Sequence, residues 1–79
     1  MKAEMKNDVV TDEYGNEWEY YTDDACGHVA VQRETADGYQ AGQFVPTQGE
    51  LYPSAEGSTF GVNSTDEYIV RGGQWTEND

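Results

Sequence analysis

Residues 11–24 read TDEYGNEWEYYTDD, with six carboxylates, no basic residue and four aromatic rings at Tyr14, Trp18, Tyr20 and Tyr21. Aromatic side chains tend to go inside, whereas carboxylates are almost never fully buried. Period two resolves the mixture, because successive residues of a strand point to opposite faces. Trp18 and Tyr20 then share an inward face, and Glu17, Glu19 and Tyr21 an outward one. Tyr14-Gly15-Asn16 supplies a turn between VVTDE and EWEYY, since Gly and Asn tolerate the positive φ of a tight hairpin.

The same alternation recurs along the chain. Val29 and Val31 point one way with Arg33, Phe60 pairs with Val62, and Tyr68 with Val70. Thr35-Ala36-Asp37-Gly38 separates HVAVQR from YQAGQFV and reads as a second hairpin. Residues 46–49 and 63–66 mark two further turns. No window carries an i, i+3, i+4, i+7 apolar stripe, and nine glycines are spread through the chain. Residues 2–8, KAEMKND, are compatible with a single helical turn. The expectation is an all-β fold with little or no helix. It is an antiparallel meander or partly open barrel of five to six short strands at 8–13, 16–22, 28–34, 39–45, 58–62 and 67–71, with a short pairing near Gln74-Trp75. Residues 46–58 hold both prolines and read as an irregular lid that tucks Leu51 and Tyr52 onto the core, because Pro53 is unfit for a central strand.

Length sets one domain, residues 1–79, near the lower limit for a single core. Residues 1–6 and 76–79 are expected to fray. Leu, Ile, Val and Phe together number 11, and the net charge is −12, a pairing that on its own signals disorder. Ten aromatic residues and the repeated alternation oppose that reading. Large rings bury roughly 150–250 Å² each and can replace the missing aliphatic core.

One cysteine, Cys26, excludes an internal disulfide and favours a reducing, cytoplasmic setting, that of the host cell if the protein is viral. The N-terminal MKAEMKNDVV has no apolar run of signal-peptide type. Asn63-Ser64-Thr65 matches the glycosylation acceptor pattern but is read as a turn. Four basic residues against 16 acidic ones exclude direct binding to nucleic acid or to anionic membranes, which requires clustered cations. The expected partner is a basic protein surface, for instance that of a nucleic-acid-binding protein, met by a monomer or homodimer.

Chemistry-bearing constellations are sparse. Cys26 and His28 beside Asp23 and Asp24 lack the second ligand pair of a structural zinc site. As a nucleophilic dyad the pair has no oxyanion donor, and its acidic surround disfavours a thiolate. The calcium-loop pattern and phosphate-cradling glycines are absent, and Glu17 with Glu19 has no cleft of the kind glycoside hydrolysis needs. No metal, no cofactor and no enzymatic activity are expected.

The acids themselves are lopsided. Eight of the 16 lie in the first 24 residues, whereas residues 38–65 contain only Glu50 and Glu56. Acidity serving only solubility or salt adaptation would be spread more evenly. Residues i and i+2 of a strand stand about 6.6–6.8 Å apart, so Glu17 and Glu19 form a short anionic rail, close to the rise of two nucleotides at about 3.4 Å each. Continued onto Asp12, Glu13, Asp23 and Asp24, with Tyr21 as an aromatic contact, it becomes a candidate partner-binding face. The function expected is an inhibitor or binding protein that occupies a basic surface by imitating nucleic acid, in the manner of phage-encoded anti-host or anti-defence proteins. The alternative is a structural or accessory domain, such as a virion or complex subunit. It would act through oligomer contacts or through an exposed edge such as YQAGQFV.

Overall fold

A computed structural model describes residues 1–63 and 65–79. Ser64, inside the expected turn at 63–66 and the Asn63-Ser64-Thr65 triplet, lies outside the described residues. Among the described residues the chain is all-β, with no helix. Six strands form one antiparallel meander in sequence order: β1 (Ala3–Lys6), β2 (Val9–Asp12), β3 (Glu17–Asp23), β4 (Val29–Thr35), β5 (Gly38–Val45) and β6 (Glu50–Ser54). A second antiparallel sheet follows, made of β7 (Thr59–Gly61), β8 (Asp66–Arg71) and β9 (Gln74–Glu77).

The meander curls until its ends meet. Lys2 bridges to Glu50, Leu51 N donates to Met1 O (2.7 Å), and Ala3 N donates to Gly49 O (2.9 Å). Beyond that seam the edges of β1 and β6 part, leaving a half-barrel. Its concave face packs Val10, Trp18, Val29, Val31, Phe44 and Leu51, with Met1, Ala3 and Met5 against them. The convex face over β4 and β5 is covered by the small sheet, where Ala30 and Ala41 meet Phe60, Val70 and Trp75. Val29, Ala30 and Val31 are therefore all buried in succession, as in a strand covered on both faces. The Cα radius of gyration, 11.6 Å, matches the roughly 12 Å of a compact chain of this length, despite the disorder-like composition.

Tight packing explains one glycine. A Cβ at Gly42 would stand 3.1 Å from Leu51 Cδ2 and 3.2 Å from Trp18 Cζ3, so the bare backbone makes room for the indole. Trp75 joins the two sheets. Its Nε1 donates to Val31 O (3.0 Å) and Gly42 O (3.3 Å), and its backbone N to Gln32 Oε1 (2.9 Å).

Several expectations need correction. Residues 2–8 are not a helical turn but part of a hairpin. Asn7 and Asp8 take φ of 54° and 64°, the two-residue loop whose twist suits antiparallel strands. The chain ends, expected to fray, are paired in β1 and β9, and Asn78 N donates to Glu67 O (2.9 Å). The irregular lid at 46–58 contains strand β6, with Leu51 fully buried and Pro53 tolerated because β6 lies at the sheet's edge. The charge-poor YQAGQFV is no edge, since β5 is paired on both sides. Tyr20 is 39% exposed instead of belonging to the core.

Candidate acidic face

The register sorts the candidate residues, because residues paired across a ladder share a face. Glu4, Thr11 and Glu17 form one row across β1–β3, and Lys6, Val9 and Glu19 the next. These rows lie on the convex side, opposite Trp18 and Val10 and beside the half that the small sheet covers. Glu17 and Glu19 are exposed and share this face, as the alternation predicts; Glu4 joins them from two strands away. Adjacent strands lie about 4.8 Å apart, which puts Glu4 roughly 10 Å from Glu17 at the backbone. Glu4, one of the eight acids of the first 24 residues, is not placed on the candidate face by the sequence, because residues 2–8 are compatible with a helical turn. Lys6 is the one cation of these rows.

Apart from Glu13, which lines a groove with Glu4 and Thr11, the other candidates do not extend this rail. Asp12 pairs with Ala3 on the concave side and is only 5% exposed. Its Oδ1 accepts from the backbone N of Tyr14 and of Asn16 (2.9 Å each), and its Oδ2 from Asn16 Nδ2 (3.2 Å) and Trp18 Nε1 (3.0 Å). Burial alone would push this carboxyl up, but the bonds from Trp18, Asn16 and Tyr14 outweigh it and hold the pKa below the ordinary value. Asp12 is a turn organiser whose lone pairs are occupied. Glu13 is exposed on the same turn, its Oε1 accepting from Lys2 N (3.1 Å).

A bulge reorders the end of β3. Tyr20 pairs with Val31 but Thr22 pairs with Ala30, so Tyr21 is the extra residue. Tyr21 stays on the side of Glu17 and Glu19 but lies under the small sheet, edge-on to Tyr68 with ring centroids 5.3 Å apart, instead of standing exposed among the acids. Burial, then Tyr68 and Glu77, raise its phenol pKa. Asp23 returns to the side of Tyr20, whose hydroxyl donates to Asp23 Oδ1, and so faces away from Glu17 and Glu19. Asp24 closes the next loop. Its Oδ1 accepts from Cys26 N and His28 N (2.9 Å each), and its Oδ2 contacts His28 Nδ1 (3.0 Å). Burial opposes ionisation there too, and the bonds from His28 and Cys26 outweigh it, lowering the Asp24 pKa.

Cys26 is exposed, and His28 is engaged by Asp24. Among the described residues no group of three or more His, Cys, Asp and Glu is arranged to hold a metal ion. Among them also, no helix is long and apolar enough to cross a membrane. Among the described residues the concavities flanking the strands include a groove of about 270 Å³ lined by Lys2, Ala3, Glu4, Thr11, Asp12 and Glu13, and a smaller one of about 200 Å³ by the end of β9. Compared with known proteins, the chain matches no family model, no curated protein and no solved structure.

Proposed function

We propose that this is a non-enzymatic acidic binding protein that occupies a basic surface of a partner protein by imitating nucleic acid, an inhibitor of the kind phages direct at host or defence enzymes. One observation supports the reading above the rest. The outer face of β1–β3 is uncovered and sets Glu4, Glu17 and Glu19 in adjacent rows with a single lysine. A solvated sheet face requires polar residues, but not three carboxylates to one lysine. The alternative, an accessory domain acting through an exposed strand edge, loses the strand that motivated it, because β5 is central.

Immobilised protein tests the proposal against a cell extract at low and high salt, beside the Glu17→Lys/Glu19→Lys variant. The expected result is a basic protein retained at low salt, released by high salt and not retained by the variant, since exposed charge pairs are screened within about 10 Å at 0.1 M. Retention indifferent to salt and to charge reversal would refute it.

A further inference from the structure

Tyr14 is 74% exposed, the most exposed of the large hydrophobic side chains, and stacks on no other ring among the described residues. It is nonetheless not carried on a loose loop. Its own backbone N is bonded to Asp12, and Asp12 is bonded to the buried Trp18. The ring is thus presented to solvent from a turn tied directly to the core. A tyrosine on a turn whose backbone is ordered in advance costs less to order on binding, and tyrosine is enriched among residues that dominate interfaces.

We infer that Tyr14 is the aromatic anchor of the partner-binding surface, and that the partner meets it with an arginine. The inference rests on the basic-partner reading above and names the chemistry of the contact. Glu13, the residue before Tyr14 in the same turn, lines the 270 Å³ groove that Glu4 also lines. Lys2 does not neutralise this groove fully, since its Nζ lies 3.9 Å from Glu50 instead. A guanidinium suits both features: its plane stacks on an aromatic face while its fork donates to a carboxylate. An ammonium offers a compact charge without the plane, so the ring should distinguish arginine from lysine where the carboxylates alone do so less.

The test is calorimetric titration of the folded protein at low salt with an oligoarginine and an oligolysine peptide of equal length. Tyr14→Ala is expected to lower the arginine-over-lysine affinity ratio about two- to fivefold, the worth of one exposed cation–π contact. The oligolysine affinity should stay unchanged, and Tyr14→Phe should keep the wild-type ratio. Tyr52→Ala, at an exposed tyrosine on edge strand β6 outside that groove, serves as the control and should leave the ratio intact. An unchanged ratio in Tyr14→Ala, or an equal fall in Tyr52→Ala, overturns the inference. In the same titration Glu17→Lys/Glu19→Lys should weaken both peptides. If it does not, the acidic-face reading fails, whatever the Tyr14 ratio shows.

Discussion

Asp12→Ala removes the carboxylate that links the β2–β3 turn to the core. Four donors lose their acceptor. The two backbone N–H groups and the Asn16 amide sit near the surface and can turn to water. The Trp18 indole N–H cannot, because its residue is 1% exposed. Leaving that donor unpaired costs about 1–3 kcal/mol, and each lost bond to a charged acceptor adds to it, for a total of about 3–5 kcal/mol. A domain of this length holds roughly 4–12 kcal/mol in all, so the variant sits at the edge of folding. Urea unfolding followed by tryptophan fluorescence should show the midpoint falling by about 3 M or more, with a slope near 1 kcal/mol/M. Asp12→Asn should lose most of the same stability, since its amide nitrogen meets N–H donors wherever it points. Acidification gives a second reading. The folded carboxyl titrates below the unfolded value of about 3.9, so its contribution is complete above that pH and is lost as pH falls through the folded pKa. Asp24 acts with the same sign. Wild-type stability should therefore fall as pH drops below about 4. Asp12→Ala should blunt that fall. A loss under about 1 kcal/mol, or a wild-type acid limb in the variant, would refute the assignment.

Gly42→Ala inserts a methyl group 3.1–3.2 Å from Leu51 and Trp18 and should cost about 1–3 kcal/mol, read as a lower urea midpoint with an unchanged fold by circular dichroism. Asp8→Gly relieves a left-handed φ of 64° in the β1–β2 loop. It should leave stability unchanged or raise it by up to about 1 kcal/mol, the preference of such loops for glycine. Raising NaCl from 0.05 to 0.5 M should increase the melting temperature by screening the net charge of −12. A gain of about 1 kcal/mol would appear as about 4–8 °C.

The strands were legible wherever apolar residues kept strict alternation: Trp18 in β3, Val29 and Val31 in β4, and Phe60 and Val70 in the small sheet all lie where period two puts them. The Asp37-Gly38 hairpin was legible from its turn chemistry, with Thr35 paired to Gly38. What escaped has physical causes. The bulge at Tyr21 adds one residue to one strand, and a single sequence carries no mark of which partner it slips against. KAEMKND contains good helix formers, yet tertiary pairing of Ala3 and Met5 with the core outweighed their weak local preference. The proline at 53 argued against a strand, but only a central one is forbidden. The candidate site suffered most from the bulge. Glu17 and Glu19 precede it and share a face as expected, whereas Asp23 follows it on the opposite face and Tyr21 is covered by the small sheet. Asp12 looked like any other acid of the run, because a carboxylate that satisfies buried donors has the same letter as one facing water.

Trp75 separates stability from the acidic face. It lies on β9, and its indole N–H reaches Val31 O and Gly42 O through the part of the half-barrel that the small sheet covers. Trp75→Phe keeps an aromatic ring for the contact with Phe60, whose centroid is 5.8 Å away, but deletes that donor. The expected loss is about 1–2 kcal/mol, that of a buried hydrogen bond and the acceptors it served. Glu4, Glu17 and Glu19 stand on β1 and β3; the Glu19 row continues to Gln32, which Trp75 bonds through its backbone N, a contact that Trp75→Phe keeps. Peptide affinity at a temperature where both proteins are folded should therefore be the same for Trp75→Phe and wild type, while Asp12→Ala lowers both stability and arginine preference by loosening the turn under Tyr14. If Trp75→Phe weakened binding as much as Asp12→Ala does, the β2–β3 turn would not be the element that presents the contact. The small sheet would then have to be counted as part of the binding surface.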